Sequence, residues 1–193
     1  MRKKVYRVFS RLDRFSSGKL EDPLTGPTGA SLIGLLEGLL CISARNMGRI
    51  TDSDTFACRG IVALQDDLRQ YQEQNSPDTP FQGAVFGFRS TSEHATCLRL
   101  LCWLLLQRSV NVMCVSKYTE SMELLAAANS CAADLGALVD CPSQPSQDRL
   151  CSMFHCCRAD CHFVTGVVAY HMGQMHYAAR HFFDPTLMMD ADS

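Results

Sequence analysis

Residues 95–107, ATCLRLLCWLLLQ, constrain this chain more than any other stretch. From Cys97 to Leu106 every residue except Arg99 is apolar, so a helix here has no polar face to turn toward water. Such a helix must be covered on all sides. The run is well short of the roughly 20 apolar residues that cross a bilayer, so it predicts the central buried helix of a helical domain. Ser90-Thr91-Ser92-Glu93 just ahead offers an N-cap with an acid three residues on.

Helical patterns surround this segment. In residues 30–43, ASLIGLLEGLLCIS, Leu32, Leu35, Leu36, Leu39 and Leu40 form an apolar helical face. Gly34 and Gly38 are four apart, which permits close approach of another helix. Glu37 and the short length argue against a membrane dimer motif, leaving simple packing. Residues 46–49 read as a loop. A helix capped by Thr51 or Asp52 then runs to about Gln74, with Phe56, Ile61, Leu64, Leu68 and Tyr71 on its buried side. NSPDTP at 75–80 breaks the chain, and 81–88 is an apolar, glycine-containing connector. VNVMCV at 110–115 has strand-like composition or forms a buried turn. A helix starting at Ser116 or Thr119 follows, rich in alanine, leucine and glutamate. CPSQPS at 141–146 is the best candidate linker. Beyond it, 147–158 and 162–182 read as two helices, with Asp160 as a cap for the second.

The expected fold class is therefore all-α: an N-terminal helical bundle over 1–140, a linker at 141–146 and a smaller C-terminal helical unit over 147–193. With 193 residues, 47% of them hydrophobic and 20% charged, the chain can bury a core of that size. The charged start lacks the apolar core of a secretory signal, which predicts an intracellular protein whose eleven cysteines are reduced. A free cysteine packs as a small apolar residue.

Charge is unevenly placed. Residues 1–20 carry seven basic side chains against one acid, Asp13, while the rest of the chain carries more acids than bases. Val5, Val8, Phe9, Leu12 and Phe15 fall at helical spacing, with Arg2, Lys3, Lys4, Arg7, Arg11 and Arg14 largely on other faces. This amphipathic pattern suits an anionic membrane or a phosphate backbone. A solvated basic face on an ordinary first helix is an equal reading, and a mitochondrial transit peptide is a third.

The densest set of metal-ligand residue types is Cys151, His155, Cys156, Cys157, Cys161 and His162. Zinc needs four tetrahedral ligands. Cys151 pairs with His155 one helical turn away, and Cys157 with Cys161, but the two pairs point to different faces of one helix. Cys151, His155, Cys157 and Cys161 are thus the candidate zinc ligands, disfavoured against a cysteine-rich helix interface, and no cofactor is expected. No Gly-rich phosphate loop is present and no nucleophile, base and acid stand out as a set. A non-enzyme without a small-molecule substrate is the expectation.

Three blocks, in order, resemble the N-terminal helical domain of orthomyxovirus matrix proteins. They are DPLTGPTGASLIGLLEGLL at 22–40, ITDSDTFACRGIVALQDDL at 50–68, and HATCLRLLCWLLLQRSVNV with YTESMELLAAANSCAADL between His94 and Leu135. The first is similar to that family's Pro-Leu-Thr turn entering an apolar helix, the second to the capped helix that follows, and the third to its long central helix and the Thr-Glu-initiated helix after it. The resemblance covers about half of the chain. It implies a viral structural protein that self-assembles under a membrane and bridges it to ribonucleoprotein. Its partners would be further copies of the chain, an anionic membrane surface and ribonucleoprotein. The family's mid-chain basic stretch has no counterpart here, which moves the phosphate contact to Arg2, Lys3, Lys4, Arg7, Arg11 and Arg14. Two rivals stand beside this reading. One is a cysteine-rich, zinc-bound viral regulatory protein acting on host factors. The other is a helical adaptor or cell-death regulator, for which ARNMGRI at 44–50 is the only motif.

Overall fold

The computed structural model describes residues 29–74, 91–139 and 147–183, and among them every regular element is a helix. The helices are α1 (Gly29–Asn46), α2 (Ile50–Gln74), α3 (Thr91–Cys114), α4 (Tyr118–Val139), α5 (Gln147–His171) and α6 (Met175–Phe182). This is the expected all-α bundle with a smaller C-terminal helical unit.

α3 is the axis of the bundle: α1, α2, α4 and α5 all pack against it, and α6 packs on α5. Ala95, Cys97, Leu98, Leu101, Cys102, Leu104, Leu105 and Leu106 are all buried. They cover a little more than half of the helix circumference, and the remaining side, with Thr96, Arg99, Leu100 and Trp103, is half buried. α3 and α4 are each long and apolar enough to cross a membrane by length and composition alone. α3, however, has its apolar surface taken up by its neighbours, as a core helix does. Leu150, Cys157, Cys161 and Val168 of α5 join the same apolar cluster as Leu64 of α2 and Leu125 of α4.

Two local expectations are corrected. Residues 110–114 are the last turns of α3 rather than a strand or a turn. Val112 and Met113 are buried there, and that packing outweighs the strand preference of β-branched residues. The two helices expected after the linker are one helix through Asp160, because Cys157, Cys161 and Val168 keep a continuous buried stripe on α5. The break falls later, at Met172–Gln174. There Gly173 takes φ 75°, and Gln174 N–H reaches back to Ala169 C=O at 2.9 Å. That pattern of positive φ with a bond five residues back ends helices cheaply. α1 ends the same way at Gly48, and α3 does so at Ser116, φ 62°.

α1 is inside out. Its buried residues are Ser31, Gly34, Gly38, Cys41 and Ala44, while Leu32, Leu35 and Leu39 are 41%, 42% and 54% exposed. The glycines explain this. A Cβ on Gly34 would stand 2.8 Å from Leu64 Cδ1, one on Gly60 of α2 would stand 2.7 Å from Leu104 Cδ1, and one on Gly38 would enter the Trp103 ring. α1 therefore lies on α2 and α3 at a distance only small side chains allow, which leaves its leucines on the far side.

A polar knot crosses this apolar contact. Asn111 of α3 is buried, and its Oδ1 accepts from Ser53 Oγ of α2 at 3.0 Å and from Arg45 Nη1 of α1 at 3.3 Å. Its Nδ2 donates to Cys41 Sγ at 3.6 Å. Ser53 Oγ also reaches Cys41 C=O at 2.8 Å, and Arg45 binds Gln107 through both its backbone and its side-chain oxygen. Ser109 and Ser121 join α3 to α4 at 2.7 Å.

Where α2 meets α3, the His94 ring stacks on Tyr71 at 4.4 Å, and His94 Nδ1 is buried without a hydrogen-bond partner among the described residues. Burial lowers the His94 pKa below 6.5, against the opposing pull of Asp134 and Asp67. The unfolded chain therefore binds a proton more readily than the folded one, and stability falls as pH drops from the unfolded value of 6.5 toward the lower folded one. The melting temperature is expected to fall between pH 7.5 and about 5.5, and to fall less in His94→Phe. An equal fall in both proteins would remove His94 as the cause.

Candidate functional site

The sequence-predicted contact residues Arg2, Lys3, Lys4, Arg7, Arg11 and Arg14 lie outside the described residues, as does the linker at 141–146. Of the four candidate zinc ligands, Cys157 and Cys161 are buried on the face of α5 that meets α3. Cys151 and His155 are only half buried, and the His155 ring leans on Phe154 at 5.3 Å. Among the described residues no group of three or more His, Cys, Asp or Glu side chains is arranged to hold a metal ion.

Cys157 and Cys161 instead find partners on α3 that the sequence could not name. Cys102 Sγ of α3 lies 3.7 Å from Cys161 Sγ. Arg99, the lone charge of the apolar run, points its Nη1 to Cys157 Sγ at 3.6 Å and to Met153 C=O at 3.1 Å. An Arg one helical turn before a Cys, both facing α5, is a signal visible in the sequence only once the α3–α5 pairing is known.

A second feature is a cleft of about 210 Å³ between α4, α5 and α6, with Met122, Leu125, Ala126 and Asn129 on one side and His162, Thr165, Tyr177 and His181 on the other. His162 Nδ1 and His181 Nδ1 are 3.1 Å apart, so one ring donates and the other accepts. No carboxylate lines the cleft among the described residues.

The third feature is the outer face of α1. Leu32, Leu35 and Leu39 are exposed and Leu36 is half buried, and these four share one helical side. The only acid of α1, Glu37, sits off that side and pairs with Arg59 of α2 at 3.1 Å. The result is an uncharged leucine face that begins at most a few residues after the basic, amphipathic stretch and its turn-rich connection end. Contiguous exposed apolar surface of this kind marks interaction sites. The sequence showed the leucines as a face; it did not show that the face looks outward, because that depends on glycines on the opposite side meeting Leu64 and Trp103.

No protein-family model, no characterised protein and no solved structure matches this chain.

Proposed function

We infer that this chain is a matrix-like structural protein: a helical body that settles in many copies on the inner face of an anionic membrane in an infected cell and connects it to ribonucleoprotein. The observation that carries the reading is the inside-out α1, whose leucines look away from the core with no charge among them. Stable attachment to a bilayer surface takes two signals, an apolar insertion and a cluster of basic residues. The α1 leucines supply the first, and Arg2, Lys3, Lys4, Arg7, Arg11 and Arg14 supply the second. The resemblance of the three sequence blocks to orthomyxovirus matrix proteins agrees with this arrangement and implies the self-assembly and the ribonucleoprotein contact.

Flotation with vesicles of phosphatidylcholine and phosphatidylserine tests it. The wild-type chain is expected to float with the vesicles. Replacing Leu32, Leu35 and Leu39 together by Ser removes about 1 kcal/mol of insertion per residue, or roughly 100-fold in affinity. Changing Lys3, Lys4, Arg7 and Arg11 to Glu is expected to abolish flotation, since each basic residue near such a surface contributes about 1 kcal/mol. Circular dichroism checks that each variant is folded. Flotation that survives both sets of changes would refute the membrane contact. Electron microscopy of protein-coated vesicles reads out the assembly, where an ordered coat is expected.

A further inference from the structure

The cleft between α4, α5 and α6 holds a pair that the membrane reading leaves unused. His162 of α5 and His181 of α6 meet with their Nδ1 atoms 3.1 Å apart. Both rings are only half buried and line the cleft, so a solute can reach them. Tyr177 braces the pair edge-on, its ring centroid 4.6 Å from that of His181. Thr165 and Asn129 add polar atoms to the lining. The Asn129 amide nitrogen is already given to Leu125 C=O at 2.9 Å, which leaves its oxygen as an acceptor. Cys161, next in the chain to His162, is turned away to α3, where its sulfur meets that of Cys102.

We propose that His162 and His181 together bind a divalent transition-metal ion of the zinc type, which pins α6 to α5.

The spacing suits an ion. Two imidazole nitrogens held at about 2.0–2.1 Å from one metal stand about 2.9 Å apart at a right angle and about 3.3 Å apart at the tetrahedral angle. The 3.1 Å between the two rings falls between these limits. Without an ion the same spacing serves a hydrogen bond between two neutral rings. The ion replaces that bond: the donor ring moves its proton from Nδ1 to Nε2, and each ring then offers a lone pair. Imidazole nitrogens select zinc, copper or nickel over calcium or magnesium, which take oxygen ligands. The protein supplies two nitrogens and no anionic ligand, so water fills the other positions and binding is reversible. The Thr165 hydroxyl and the Asn129 oxygen stand in the same cleft as partners for that water. The consequence falls on α6. This helix has eight residues and follows α5 through the turn at Gly173. Its own hold on α5 is the buried Ala178 and the Phe182 ring lying over Gly166. An ion joining positions 162 and 181 closes that hairpin, as metal clips do when they tie distant positions together.

The test uses the full chain, reduced, with its accessible thiols alkylated under native conditions so that cysteine does not compete for metal. Calorimetric titration with zinc chloride is expected to show one ion bound per chain. In His162→Ala and in His181→Ala the affinity should fall by about tenfold or more. His162→Gln keeps a hydrogen-bonding side chain and should lose the ion equally. His176→Ala removes an exposed histidine of α6 outside the cleft and should bind as the wild type does. Zinc should also raise the melting temperature of the wild type and leave that of the cleft variants unchanged, because an ion that binds only the folded chain stabilises it. Cobalt(II) in place of zinc reads the donors: a visible spectrum of nitrogen and oxygen ligands is expected, without a sulfur-to-cobalt charge-transfer band. The proposal is overturned if no stoichiometric ion binds, which would leave the histidine contact as a hydrogen bond only. It is equally overturned if the cleft variants, shown folded by circular dichroism, bind zinc as tightly as the wild type, or if cobalt reports thiolate ligands.

Discussion

Asn111→Ala is expected to cost about 2–4 kcal/mol of stability and to lower the melting temperature by about 5–12 °C. Asn111 of α3 reaches both α1 and α2 through polar atoms. Removing it leaves Arg45 with Gln107 alone and Ser53 with the Cys41 carbonyl and sulfur, and opens a cavity where the three helices meet. The larger cost is the desolvated partners left behind, which exceeds the modest net value of each bond when made. Asn111→Asp keeps the acceptor facing Arg45 and loses only the donor to Cys41. Its loss should be smaller if the Arg45 contact dominates. Thermal melts of the three proteins at one pH decide the matter, and an alanine variant that melts with the wild type would show that the knot contributes nothing.

The second large effect is expected at Gly60. Gly60→Leu should destabilise by about 3 kcal/mol or more, at the upper end of what overpacking a close contact costs. A first carbon there already stands 2.7 Å from Leu104 Cδ1 and 3.1 Å from Glu37 Cβ, with the Gly34 backbone just behind at 3.7 Å. Leu104 can turn a methyl group aside, but Glu37 and Gly34 belong to the α1 helix itself, so a longer side chain must push α1 away from α2. Gly60→Ala is the informative companion. It gains about 1 kcal/mol of helix propensity, which offsets part of the contact, so its loss should be small. Urea titration gives both numbers. A leucine variant as stable as the alanine variant would mean that α1 and α2 are not held at close range by their glycines.

Much of the fold was readable in the residues themselves. The uninterrupted apolar run around Leu101–Leu106 forces a covered helix whatever surrounds it, and Gly48 and the Thr51/Asp52 start mark the α1–α2 corner on local chemistry. Two things were not readable, and for one reason: each depends on a neighbour distant in sequence. Residues 110–114 have strand composition, and only the burial of Val112, Met113 and Asn111 against other helices makes them helical. Asp160 is a plausible cap, but Cys157 and Cys161 on either side of it pack into α3, so the helix runs through. The candidate site divides in the same way. Cys157 and Cys161 stood out as metal-ligand types, whereas their partners, Arg99 and Cys102, lie some 60 residues earlier and within the run that reads as pure core. The common face of the α1 leucines was legible, but its direction was not, because small residues on the opposite side set it.

That inversion has a further consequence. In an ordinary amphipathic helix the same large side chains hold the fold and are hidden by it, so any change to them is paid in stability. In α1 the two duties are assigned to different residues: Gly34, Gly38 and Ala44 hold the helix down, and Leu32, Leu35 and Leu39 stay exposed among the described residues. The outward side can therefore change its residues while the body beneath it stays unchanged.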